Sequence, residues 1–256
     1  MAVPFHLIDY LGKKRQDGVI VWLMNIGVEK YWNRLSPGIV DRNEERIVNR
    51  VEEMNLLLCR EQDILILRHQ PDPAFLAQLK SWGFSIPTIL TPRWVDAHTP
   101  ISELVLGDED LLQQLTLMAH EREDIFFVPY GVSSLEEQIA SRCGLTLIGA
   151  PSSLQAVIND KVFNRQIAQQ LQMDISEGYI CEHVEQIKEA CHTLLSEGSG
   201  FSKVIIKEPH GASGKGLYLI DDPSRLTPLL ARFTRTARTN SDAKWLVEGW
   251  YEKRRI

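Results

Sequence analysis

The feature that most constrains this chain is a pair of short apolar runs, Val204-Ile205-Ile206 and Leu217-Tyr218-Leu219-Ile220, joined by the loop His210-Gly-Ala-Ser-Gly-Lys-Gly216. Short apolar runs bounded by Gly and Pro are the pattern of paired strands, so residues 203–221 predict two antiparallel strands and a long connection. Glycines at 211, 214 and 216 let backbone N–H groups point into one concavity unobstructed by Cβ, which is how a loop cradles phosphate. Ser213 and Lys215 stand inside that loop.

Upstream, continuous apolar runs alternate with helical periodicity. Val19-Ile20-Val21-Trp22-Leu23-Met24, residues 63–68, residues 86–90, Ile125-Phe126-Phe127-Val128 and residues 145–148 read as strands. Runs without polar alternation are the pattern of strands buried on both faces, as in parallel sheets. Between them, helices are expected over residues 41–58, with Ile47, Val48, Val51, Met54 and Leu58 on one face, and over residues 73–82, 108–120 and 133–143. Ser133 and Glu136 stand in capping-box register at the start of the last of these. Strand–helix alternation of this kind predicts a parallel, doubly wound sheet. Composition changes at Gly149-Ala150-Pro151-Ser152-Ser153, which divides the chain into domains 1–150 and 151–256. Beyond it a helix from Ser152 or Ser153 through Leu171 is expected. A strand at 178–181, a helix at 184–195, the glycine-loop strand pair, a helix at 223–236 and a last strand at 244–248 follow.

The loop is not a Walker A motif. Pro209 occupies the position of its first glycine, Gly216 replaces the Ser or Thr after the lysine, and a strand follows where a helix should. The dinucleotide fingerprint fails for the same reason. A Gly-rich loop between antiparallel strands is instead a flap that covers phosphates, although the His-Arg-Asp and Asp-Phe-Gly signatures of kinases are absent. Lys207 ends the strand that enters the loop, and Lys161 lies near a helix start in Asn159-Asp160-Lys161. A lone lysine is usually surface decoration, but two at these places next to a glycine loop suit phosphate.

These elements resemble the first lobe of the ATP-grasp superfamily: the Asp160-Lys161 helix start, the Val204-Ile205-Ile206-Lys207 strand, the 210–216 loop and the hinge Leu246-Val247-Glu248-Gly249-Trp250-Tyr251. Residues 1–150 resemble the pre-ATP-grasp domain. The fold class implied is α/β, a Rossmann-like parallel-sheet N-terminal domain followed by an α+β ATP-grasp small lobe. By that resemblance Lys161 and Lys207 contact the α- and β-phosphates of ATP. His210, Gly211, Ala212, Ser213, Gly214, Lys215 and Gly216 close over the β- and γ-phosphates. Glu248 and the backbone of Gly249, Trp250 and Tyr251 take the adenine edge, with Trp250 or Tyr251 near its plane, and Glu252 accepts from the ribose. The implied reaction is ATP-dependent activation of a small carboxylate, such as an amino acid, to an acyl phosphate, followed by attack of an amine or a carrier thiol. The magnesium ligands and a catalytic arginine of such enzymes stand on a second lobe after the hinge. The sequence ends at Ile256, so an inactive front portion of a longer ligase is expected, with Mg2+ only alongside that lobe. A non-catalytic nucleotide-binding or interaction module of the same fold is the alternative.

Composition narrows the partners. A net charge of −6 gives no global attraction for nucleic acid or anionic membrane, and no apolar run approaches a membrane span. Four cysteines without Cys-x-x-Cys spacing fit reduced thiols of a cytoplasmic protein and no zinc site. A homodimer is compatible with all of this. Other candidates have plainer readings: Asn25 and Gly27, or Pro129-Tyr130-Gly131, as substrate loops or simple turns; Arg232, Arg235 and Arg238 as a phosphate patch or a solvated helix face. Trp22, Trp32, Trp82 and Trp94 are expected to pack.

Overall fold

A computed structural model describes residues 18–32, 50–96, 98–122, 124–211, 214–240 and 242–252. The chain folds as two compact units. Described residues 18–28 and 50–152 form the first, and 29–32 with 153–252 the second, so the division falls between Ser152 and Ser153.

The first unit is built on five parallel strands, β1 (Val19–Leu23), β2 (Ile64–Ile66), β3 (Thr88–Leu90), β4 (Ile125–Pro129) and β5 (Thr146–Leu147), in the order β3-β2-β1-β4-β5. The second unit contributes the short helix α1 (Glu29–Trp32). In the first, α2 (Pro73–Ser81), α3 (Ile101–Leu106), α4 (Glu109–His120) and α5 (Ser134–Cys143) follow. Alternate residues of β1 explain the layers. Val19, Val21 and Leu23 pack in one cluster with Val105 of α3, Leu112 and Leu115 of α4 and Ile139 of α5. Trp22 packs on the other face in a smaller cluster with Leu56, Leu65 and Leu79 of α2. Both faces are covered, as a parallel sheet requires.

Two expectations fail here, and part of one lies outside the described residues. Residues 41–49 of the expected first helix, with Ile47 and Val48, lie outside the described residues. At Glu52–Leu57 the chain is a 3₁₀ helix, and Glu52, Asn55 and Leu56 are buried while Met54 and Leu58 are exposed. The three-residue repeat of the tighter helix rotates the buried stripe away from the 3.6-residue pattern. Trp82 and Trp94 are exposed rather than packed. Trp82 is the C-cap of α2, past its last buried position Leu79, and Trp94 follows the end of β3 in a loop.

The second unit carries a four-stranded antiparallel sheet, β6 (Gly178–Cys181), β7 (Val204–Lys207), β8 (Leu217–Ile220) and β9 (Trp245–Gly249), in the order β6-β9-β7-β8. Its helices are α6 (Ser152–Ile158), which begins at the division, α7 (Lys161–Gln170), α8 (Val184–Leu194) and α9 (Leu226–Thr239). The core joins one face of the sheet, through Cys181, Val204, Ile206, Ile220, Trp245 and Val247, to Ile187 and Leu194 of α8 and Phe233 of α9. With a period of two, Ile205, Lys207, Leu246 and Glu248 fall on the opposite face.

The single helix expected from 152 to 171 is two helices. Asp160 interrupts it by capping α7, its carboxylate accepting from Val162 N at 2.7 Å and Phe163 N at 3.3 Å. A short carboxylate satisfies exposed helix N–H groups better at a cap than within a helix, so the apolar periodicity runs on across a real break. Ser152 is not a cap either: its N–H and hydroxyl both donate to Glu137.

Candidate functional site

The cap on α7 sets the site, because it places Lys161 at the first helical residue. The Lys161 backbone N–H donates to Pro209 O at 2.9 Å, tying the helix start to the glycine loop. Its ammonium donates to Gly211 O at 2.9 Å and to Pro209 O at 3.4 Å. Burial, and after it the nearby Lys207 ammonium, hold the Lys161 pKa below the ordinary lysine value. The loop is pinned at its base by Glu208 N donating to Gly216 O at 2.7 Å. At its entry the His210 ring lies 2.9 Å from Ala156 O, and since a carbonyl can only accept, Nε2 carries the proton. Gly211 has a φ of +129°, and a Cβ there would sit 2.4 Å from Lys215 O. Only glycine allows the loop to fold back this closely. Gly214 and Gly216 also have positive φ, while Ala212 and Ser213 lie outside the described residues.

Lys207 and Glu248 sit diagonally across the β7–β9 pair, where Lys207 faces Leu246 and Glu248 faces Ile205. The Lys207 ammonium donates to Glu248 Oε2, and the other oxygen, Oε1, accepts from Arg165 Nη1 at 2.8 Å. Arg165 Nη2 reaches the carbonyl of Gly178 at 2.8 Å. Gly178 is the residue opposite Glu248 in the β6–β9 pair, and a Cβ on it would meet Val247 O at 2.3 Å. No larger residue lets these two strands approach so closely.

Arg165 was not legible as a functional residue. In sequence it is one more arginine on a polar helix, and its burial depends on a partner on β9. The available signal was its spacing, one turn after Lys161 on the same face.

The hinge residues divide. Gly249 N donates to Glu177 O at 3.0 Å and Trp250 N to Lys203 O at 2.9 Å, so neither N–H is directed outward. Trp250 and Tyr251 are exposed, and the Tyr251 ring packs edge-on against Phe201 at 5.1 Å between centroids. Glu252 pairs with Lys203 at 3.0 Å and accepts from the Ser202 hydroxyl.

The remaining candidates resolve into structural roles. Asn25 and Gly131 are brought together beyond β1 and β4, where the strand order reverses. The Asn25 side chain donates to Gly131 O at 2.8 Å and accepts from Gly131 N at 3.0 Å, so its amide fastens two loops. Arg232 pairs with Glu208 and lies over the Tyr218 ring at 5.2 Å, leaving Arg235 and Arg238 as separate exposed charges and no three-arginine patch. Burial pushes the thiols of Cys181 and Cys191 up to about 12 and about 11, so both stay protonated. A hollow of about 410 Å³ lined by Trp32, Phe163, Pro209 and His210 lies beside the loop entry, and neither Lys161, Lys207 nor Glu248 lines it. Among the described residues no three His, Cys, Asp or Glu side chains gather as a cation site, so these residues do not by themselves fit a magnesium centre. No helix among them is long and apolar enough to cross a membrane.

Residues 51–145 match the model of the pre-ATP-grasp domain family. The [butirosin acyl-carrier protein]–L-glutamate ligase of Niallia circulans is 30% identical over 252 residues, covering 97% of this chain and 54% of the relative. The chain is thus similar to a pre-ATP-grasp domain over residues 51–145 and to this ligase over nearly its whole length, and it spans about half the length of the curated relative it matches. Among solved structures, a biotin carboxylase from Campylobacter jejuni is similar at 17% identity and a TM-score of 0.47, over 92% of this chain and 45% of its own. The D-alanyl-alanine synthetase A of Vibrio cholerae is similar at 10% identity and a TM-score of 0.44, over 92% and 60%.

Proposed function

We propose that this chain is the ATP-binding portion of an ATP-dependent ligase that activates a small carboxylate as an acyl phosphate and passes it to an amine or a carrier thiol. One observation carries the reading. Lys161 holds the carbonyls of a loop whose glycines alone permit its tight return, and Lys207, which ends the strand entering that loop, pairs with Glu248 nearby. Two ammonium groups beside a glycine-rich loop suit a polyphosphate. The relative's name, which couples L-glutamate to an acyl-carrier protein, favours an amino acid as the carboxylate and a carrier thiol as the acceptor.

In this reading the carboxylate oxygen attacks the γ-phosphorus, ADP leaves, and the thiol then displaces phosphate from the acyl phosphate. Lys161 and Lys207 offset the charge of the α- and β-phosphates, and the 210–216 loop covers the β- and γ-phosphates and excludes water. The strand end after Glu248 faces the base, since both Glu248 carboxylate oxygens are already taken by Arg165 and Lys207. The N–H groups of Gly249 and Trp250 are already donated, so the base takes its backbone donor from Tyr251 or Glu252. Calorimetric titration of ATP into the wild-type chain, Lys161→Ala and Lys207→Ala tests the reading. Affinity should fall by about tenfold or more in each variant, and unchanged affinity in both sinks it.

A further inference from the structure

On the face of the antiparallel sheet opposite α8 and α9 one carboxylate serves two cations. Glu248 gives Oε1 to Arg165 and Oε2 to Lys207. The three groups differ sharply in access: the side chains of Arg165 and Glu248 are 6% and 9% exposed, that of Lys207 26%. They also differ in how they are held. Arg165 is fixed at two points of one rung of the sheet, Glu248 and the carbonyl of Gly178 opposite it, and its Nε has no partner. Lys207 holds Glu248 by its ammonium alone, on a flexible stem.

A buried carboxylate keeps its charge only while a cation stays with it. With two cations and one anion, Lys207 can leave and a neutral Arg165–Glu248 pair remains. Without Arg165, the departure of Lys207 would strand the carboxylate, and Lys207 would be held. We propose that Arg165 is a positioning residue that makes Lys207 exchangeable: Lys207 rests on Glu248 when no phosphate is bound and transfers to the polyphosphate when one arrives, while Arg165 stays on Glu248. This rests on the ATP-binding reading above and adds to it the residue that sets how much of Lys207 is available.

The expected effect follows from the exchange. A lysine held off its ligand about nine-tenths of the time lowers apparent affinity about tenfold. Only ligands bearing phosphate should feel this. Calorimetry with ATP and with adenosine, titrated separately, distinguishes the device from a mere structural pair. Arg165→Met should lose about tenfold in ATP affinity while adenosine affinity stays within about twofold. Arg165→Met with Glu248→Gln should regain most of the ATP affinity, because a neutral amide no longer holds Lys207. Equal losses for ATP and adenosine in Arg165→Met, or no recovery in the double variant, overturn the inference. If circular dichroism shows Arg165→Met unfolded, Arg165→Lys replaces it. That variant keeps the charge but not the two-point attachment, so it should lose part of the ATP affinity and none of the adenosine affinity; an equal loss of both overturns the inference. Lys161→Ala and Lys207→Ala separate the two readings: unchanged ATP affinity in both removes the ATP site itself, whereas unchanged affinity in Lys207→Ala alone, or a loss there with none in Arg165→Met, removes only the role of Arg165.

Discussion

The two sheets of this protein put their charged groups to different uses. The parallel sheet of the first unit has apolar clusters on both faces, and its buried charges serve closure. Asp63 is fully buried and accepts from Ile20 N, Trp22 Nε1, Arg60 N and the Arg60 guanidinium. The antiparallel sheet of the second unit has its helices α8 and α9 on one face, and its opposite face carries Lys207 and Glu248 with Arg165 and Lys161 beside them. In the first sheet the buried ionic groups are internal fasteners. In the second, Ile205, Leu246 and Glu248 on the opposite face are buried too, but Lys207 at the strand end is 26% exposed and can present charge to a ligand.

The sharpest test of this contrast is Asp63→Ala. It removes the buried carboxylate that the Arg60 guanidinium, itself 7% exposed, pairs with at 2.8 Å. Loss of one partner from a buried ion pair costs about 3–5 kcal/mol, which denaturant unfolding should register as a large drop in midpoint. Loss below about 1 kcal/mol would mean that water reaches the pair and that the first sheet is not sealed.

Glu52 probes the same sealed unit by pH. It is 5% exposed and accepts from Arg68 N at 2.7 Å, and burial raises its pKa to about 7. Between the unfolded value near 4.5 and the folded value the native state holds a proton that the unfolded chain has released. The contribution is therefore present below pH 4.5 and lost as pH rises through about 7. Its full span is about 3 kcal/mol, and Glu52→Gln should remove that slope from a stability–pH profile. A wild-type profile parallel to that of the variant would contradict the assignment.

In the second unit the expected effect moves from stability to binding. Lys207→Ala should weaken ATP by about 10- to 100-fold, the worth of a charged hydrogen bond. It should shift the unfolding midpoint little, because Glu248 keeps Arg165. A variant that loses as much stability as Asp63→Ala, with ATP affinity intact, would make the second sheet's charges fasteners as well and dissolve the contrast.

The same difference governs what could be read in advance. Strands buried on both faces are continuous apolar runs, so β1, β2 and β4 stand out, and the glycine spacing with flanking runs exposes the β7–β8 pair. The strand order β3-β2-β1-β4-β5 was not legible, because no local pattern records which buried run lies beside which. Lys161 and Lys207 could be named because each is tied to a local signal, a helix start and a strand end. Arg165 could not, since what buries it is a carboxylate brought to it only by the folding of β9. The break at Asp160 hid behind periodicity that continues on both sides of it. Met54 and Leu58 misled because the buried stripe follows a 3₁₀ repeat there.

The smallest effect tests how far the sealed unit departs from general rules of helix capping. Ser133 caps α5: its Oγ accepts from Leu135 N at 3.2 Å and donates to Glu136 Oε2 at 2.6 Å, while Ser133 N donates to the same oxygen at 2.7 Å. Ser133→Ala loses the cap acceptor and should cost about 1 kcal/mol. Aspartate is as good a cap as serine on an exposed helix. Here it should be worse than alanine, because its carboxylate would face Glu136, 0% exposed, at the place where the serine hydroxyl now donates. An acceptor in place of a donor next to a buried carboxylate replaces a hydrogen bond by repulsion. Thermal unfolding should therefore rank wild type above Ser133→Ala and Ser133→Ala above Ser133→Asp. The opposite order of the two variants would show that water screens this helix start, and that even the sealed sheet has one open corner.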